Sequence, residues 1–132
     1  MPGKKALVIN VWINERLRQA IIDTGSSHTL IREKAAKDMN LQFNQNRNVP
    51  VLQGVTGSPL RILGMVKVVI EAGNDWVLHR WIPVVPNRYL DADVLLGMDI
   101  LGQVPFQYNG AHSQFVWRNT TYVVNHIKKT KA

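Results

Sequence analysis

AIIDTGSSHTLI, residues 20–31, sets a carboxylate directly behind two isoleucines and in front of a Thr-Gly pair. Aspartate is depleted from strands, and an ionised carboxylate at an apolar strand end is costly unless partners hold it. The stretch has a mechanical reading. An apolar strand carries Asp23 toward the centre of a domain. Gly25 opens a backbone path closed to residues with a Cβ, so the chain can turn sharply beside the carboxylate. Thr24 brings a hydroxyl for a hydrogen bond inside that turn. DVLLG, residues 93–97, is a second apolar run ending in glycine, able to pack beside the first.

The flanking sequence predicts a mostly-β chain. ALVINVWIN (6–14) is rich in β-branched residues and partly alternates, so it reads as a strand. ERLRQAIID (15–23) reads as the second arm of a hairpin after an Asn-Glu turn. IREKAAKDMNL (31–41) places Ile31, Ala35, Ala36 and Met39 close to helical spacing, a short helix. NQNRN (44–48) is a polar loop. The segment 49–73 reads as two strand arms around GVTGSP, where two glycines and a proline mark a turn. Asn74-Asp75 offers another turn. WVLHRWIPVV (76–85) is a strand whose prolines, Pro83 and Pro86, push its end to an edge or exit. DADVLLGMDILGQ (91–103) begins as a strand and ends in a helical turn. SQFVWRNTTYVVN (113–125) reads as a last hairpin with Arg118-Asn119 at its bend. Trp12, Trp76, Trp81 and Trp117 read as core or interface anchors. The expectation is one domain over 1–132, frayed at about 1–5 and 125–132.

Bulk properties exclude several classes. With 132 residues and 45% hydrophobic content the chain suits one domain with a modest core. No apolar run reaches about 18 residues, so no membrane span is expected. MPGKK lacks the apolar stretch of a signal peptide. Zero cysteines exclude disulfides and thiolate metal sites and fit an intracellular setting. His28, His79, His112 and His126 have no metal-ligand spacing, so no metal and no cofactor is expected. The net charge of +7 is dispersed and mixes with no nucleic-acid readout motif, which leaves nonspecific nucleic-acid affinity at most. The sequon Asn119-Thr120-Thr121 reads as chance without a secretory signal.

IIDTGSSHTLI followed by DVLLGMDIL resembles the retroviral-type aspartic proteases, the retropepsins. The closest flavours are gypsy-type LTR retrotransposon proteases and the retroviral-like domain of DNA-damage-inducible proteins. An Asp-Thr-Gly alone also fits an ordinary β-turn; the two motifs in this order carry the resemblance, which covers nearly the whole chain. It implies a retropepsin-like acid protease fold, a closed β-barrel-like subunit with a flap hairpin and one or two short helices. It also implies an aspartic endopeptidase that cuts a retroelement polyprotein, in the cytoplasm or within virus-like particles. Such enzymes use two carboxylates across one water. Of the aspartates at 23, 38, 75, 91, 93 and 99, only Asp23 has the right setting. The second acid must then come from a second copy, giving a twofold homodimer with the site on its axis. Two like charges so close do not both ionise, so an aspartic protease pair shares a proton.

By the same resemblance Asp23, Thr24 and Gly25 form the catalytic turn, with Thr24 bonding across the axis and Gly25 contacting substrate backbone. Gln53, Gly54, Val55, Thr56, Gly57 and Ser58 form the flap, with Val55 near its tip. Leu95 lines an apolar subsite or packs the core. Asp93 belongs to a substrate-pocket wall, favouring basic or polar side chains, or faces solvent. His28 edges the cleft or sits on a surface turn. Ser26 stands where many retroviral members have alanine, and its hydroxyl is expected to donate to the carboxylate and favour the ionised form. Ser27 and Met98 replace a common acid–arginine pair, so Asp99 is expected to cap or brace the short helix. The C-terminal hairpin can pack on its own subunit instead of interleaving with a partner. Two rivals remain, a catalytically silent dimerisation or peptide-binding module and a nucleic-acid-binding domain.

Overall fold

A computed structural model describes residues 5–45, 48–54, 57–73 and 75–128. The order of elements is β1 (Lys5–Ile13), β2 (Arg16–Ile22), β3 (Leu30–Arg32), α1 (Glu33–Asp38), β4 (Gly64–Ala72) and β5 (Trp76–Val85). A 3-10 turn at Asn87–Tyr89 follows, then β6 (Val94–Leu96), α2 (Met98–Leu101), β7 (Phe106–Asn109), β8 (Gln114–Trp117), β9 (Thr120–Val123) and β10 (Asn125–Lys128).

The first hairpin forms because Asn14 and Glu15 both adopt positive φ (48° and 65°), the backbone twist that two-residue hairpin loops favour. From there the strands run β1-β2-β6-β3-β5-β4, and β4 returns to β1 through Trp12↔Glu71 and Ile13↔Ile70, closing a barrel. Ile9, Val11 and Ile13 of β1, Val66, Val68 and Ile70 of β4, and Ile82 and Val84 of β5 point inward and are buried. Each such side chain contributes about 1.5–3 kcal/mol by leaving water. A second cluster, Val8, Ile21, Leu30, Val85, Leu90, Ala92 and Leu95, lies apart from it, with Leu52, Leu60 and Ile62 packed against it. It supports the strand ends that carry the motifs.

Two expectations are corrected here. β5 does not leave the sheet at Pro83: that residue is buried opposite Met65, and Val84 and Val85 go on to pair with β3 in parallel. A proline is tolerated because β5 has only β4 as a neighbour up to that point. The C-terminal end is not frayed from 125 onward either. Asn125–Lys128 is β10, antiparallel to β1 in the register Ala6↔Ile127, Leu7↔His126 and Val8↔Asn125. The chain's last described strand thus packs on its own subunit.

Between α2 and β10 lies a separate three-stranded sheet, β7-β8-β9. Arg118 and Asn119 form its bend with positive φ (53° and 59°). Its core is aromatic: Trp117 is fully buried and meets Trp76 edge-on at 5.6 Å, while Phe106 and Phe115 lie 5.5 Å apart. The Arg118 guanidinium stacks 4.0 Å over Trp76, and the Gly73 amide donates to the Tyr122 hydroxyl at 3.2 Å. The sheet thereby grips the β4–β5 turn. Trp117 and Trp76 serve as core, as their residue type suggests, whereas Trp12 is half exposed.

Candidate active site

Asp23 follows the last residue of β2. There β2 runs parallel to β6, with Ile21 opposite Leu95 and Ile22 opposite Leu96, so the two sequence motifs are neighbours. The Asp23 amide donates to the Leu96 carbonyl at 3.0 Å, which extends the ladder one residue and fixes where the carboxylate emerges. The chain then turns. The Ser26 amide donates to the Asp23 carbonyl at 3.2 Å, and the Gly25 amide donates to Asp23 Oδ1 at 3.0 Å. A charged acceptor makes that last bond stronger than a neutral one. Thr24 and Gly25 are exposed, and among the described residues the Thr24 hydroxyl has no hydrogen-bond partner in its own chain.

The far side of the turn is anchored to the second motif. The Met98 amide donates to the Ser26 carbonyl at 2.7 Å, and the Gly97 amide donates to Thr29 Oγ1 at 3.1 Å. Thr29, the one fully buried polar side chain among the described residues, gives its hydroxyl proton to Asp99 Oδ1 at 2.7 Å and its amide proton to Oδ2 at 3.1 Å. Arg80 Nη2 lies 3.6 Å from Asp99 Oδ2. Asp99 therefore holds the catalytic-type turn, and α2 has no side-chain cap of the kind expected from it. Gly97 is required by close approach: a Cβ there would come within 2.6 Å of the His28 backbone. Gly97→Ala is expected to push the loop off β6, costing about 2 kcal/mol. Urea denaturation would show it; a loss below about 0.5 kcal/mol would mean that the two loops part freely.

A cleft of about 480 Å³ opens over Asp23. Gly25, Ser26, Ser27 and His28 line its polar side, and Leu30, Leu95, Val51, Leu52 and Leu60 its apolar side, with Gln53 and Gly54 at the rim. The segment above it is a hairpin; of the two strand arms expected over 49–73, only the second is regular, from Gly64 on as β4. The Leu60 amide donates to the Leu52 carbonyl at 2.8 Å, the Gly54 amide to the Ser58 carbonyl at 2.9 Å, and Gln53 pairs with Pro59. Gly57 turns with φ of +82°, a conformation that glycine adopts without strain. Val55 and Thr56 lie outside the described residues.

The structure thus brings Asp23, Gly25, Ser26, Gln53, Gly54 and Leu95 to one cleft, with Thr24 exposed beside it. Asp93 does not join them. Its carboxylate is bound by Arg32 Nη2 at 2.7 Å, Arg32 Nε at 2.9 Å and Arg18 Nη1 at 3.1 Å. The Ser26 hydroxyl does not reach Asp23: it donates to the His28 carbonyl at 2.9 Å, so it shapes the loop without favouring the carboxylate's charge. Leu30, Val51, Leu52 and Leu60 were not singled out as cleft residues. The apolar pair Leu52 and Leu60, flanking the Gly-rich turn symmetrically, is the signal that could have found two of them. Among the described residues no three potential metal ligands gather.

Residues 9–103 match the family described as "gag-polyprotein putative aspartyl protease". The chain belongs to this family. Residues from 104 on, including the aromatic sheet and β10, lie outside the match. A search of curated proteins finds no match. Solved structures with the same fold include the retroviral protease-like domain of Ddi1 from Leishmania major, at 17% identity and a TM-score of 0.62, covering 91% of this chain and 93% of that one. A retropepsin-like aspartic protease from Rickettsia conorii gives 15% identity and a TM-score of 0.56, covering 83% and 90%. The EIAV protease, determined with the inhibitor HBY-793, gives 17% identity and a TM-score of 0.54, covering 76% and 86%. The fold is retropepsin-like. Among the described residues no helix is long and apolar enough to cross a membrane.

Proposed function

We propose that this family member is an aspartic endopeptidase active as a homodimer, with Asp23 of each subunit sharing one water. The observation that carries the proposal is a single carboxylate on the cleft wall, set on a turn whose Thr24 and Gly25 remain uncovered. A second copy placed against that face supplies the missing acid and gives the two Thr24 hydroxyls partners in each other. In the reaction one Asp23 takes a proton from the water as its oxygen attacks the scissile carbonyl carbon. The other gives its proton to the carbonyl oxygen. Collapse of the tetrahedral diol returns a proton to the amine nitrogen as the C–N bond breaks. The apolar wall and the hairpin above it exclude water from this step. An extended peptide fits such a cleft through main-chain hydrogen bonds. The family's description points to a gag-type polyprotein as substrate, cut in the cytoplasm or in virus-like particles.

The test is the rate law. In dilute solution, cleavage of a mixed peptide library should rise about fourfold for each doubling of enzyme, because only paired subunits act. A rate proportional to concentration, with monomer alone in the ultracentrifuge, would sink the shared site.

A further inference from the structure

His28 is the only titratable side chain on the cleft wall besides Asp23 among the described residues. Its backbone is fixed: the Ser26 hydroxyl donates to its carbonyl at 2.9 Å, and Gly97 packs directly against it. The ring is half-buried, with Nδ1 2.8 Å from the Ser27 hydroxyl oxygen. Either group can donate in that contact, and in either case a charged ring carries a proton on Nε2. Among the described residues Nε2 has no hydrogen-bond partner. In its charged form the ring thus brings to the cleft lining an N–H that no described residue accepts.

Several acids of the described residues already have cationic partners. Asp93 is consumed by Arg18 and Arg32, Asp99 by Arg80 behind Thr29, and Glu33 by Lys37. Arg61, next to cleft-lining Leu60, is exposed, and the chain carries a net charge of +7. Among the described residues Asp23 is the one acid on the cleft wall, and Asp91 is exposed outside that lining.

We infer that His28 selects substrates with an aspartate or glutamate flanking the scissile bond, its imidazole binding the carboxylate away from the Asp23 pair. This rests on the peptidase reading and adds a substrate class to it: apolar at the centre, acidic on the flank. In a twofold dimer there are two such imidazoles, so the preference applies on both sides of the cut.

Cleavage products of a peptide library at pH 5 should be enriched in acidic residues near the cut. In a matched pair of peptides differing by Glu or Lys at the enriched position, kcat/KM should favour Glu by about tenfold, as for one charge-assisted contact. His28→Asp should turn the preference toward Lys, and His28→Ala should bring the ratio near one. An equal ratio in the parent, or the same ratio in both variants, overturns the inference. The two peptides, fluorescently labelled, are also titrated into Asp23→Asn protein. Tighter binding of the Glu peptide there, without cleavage by the parent, would retain the His28 assignment while refuting proteolysis. Equal binding, or none, overturns it.

Discussion

Asp23→Asn is expected to lower peptide hydrolysis by about 10³-fold or more while leaving the fold unchanged. The amide is nearly isosteric, and its oxygen can still accept the 3.0 Å bond from the Gly25 amide. What it cannot do is take a proton from water or share one with the facing acid. Circular dichroism and thermal melting should therefore match the parent, while product formation disappears. Mixing adds a sharper readout. Excess Asp23→Asn subunits should capture parent subunits in pairs holding one carboxylate, so activity falls as the variant is added. Retained cleavage in the variant would place the chemistry on another residue.

Asp93→Ala is the largest expected loss of stability, about 3 kcal/mol. The side chains of Arg18, Asp93 and Arg32 are only 14%, 16% and 25% exposed. Removing the one anion leaves two guanidiniums mostly desolvated and mutually repelling, and Arg18 Nε already lacks a partner. The backbone bond from the Arg32 amide to the Asp93 carbonyl survives, so the loss reports the charges. Replacing all three with apolar residues of similar size should recover most of the stability, because the cost lies in the unpaired cations. Urea midpoints of the single and triple variants decide this. A change under about 0.5 kcal/mol in the single variant would show that water reaches the triad.

The catalytic-type turn was legible because its causes are local. Two isoleucines, an acid and a glycine within a few residues dictate a strand that ends in a tight loop, and Leu95-Leu96-Gly97 repeats the pattern. The hairpin at Asn14-Glu15 and the short helix α1 were legible for the same reason. Asp93 was misplaced because its partners stand 75 and 61 residues away, and the pairing of distant charges leaves no periodic trace. The grip of Asp99 on Thr29 spans 70 residues and was hidden likewise. Ser26 sat in the right place, yet its hydroxyl had a nearer acceptor in the His28 carbonyl. β10 was overlooked because NHIK is short and polar, and only the open edge of β1 makes it a strand.

That pairing of β10 with β1 bears on timing. Each subunit covers the start of its own first strand with its own β10. In the proposed homodimer this edge of β1 would already be taken when two subunits meet. Activity would then switch on with crowding, as local concentration passes the association threshold, and off again on dispersal. Under that proposal dilution alone would keep the blade in two halves.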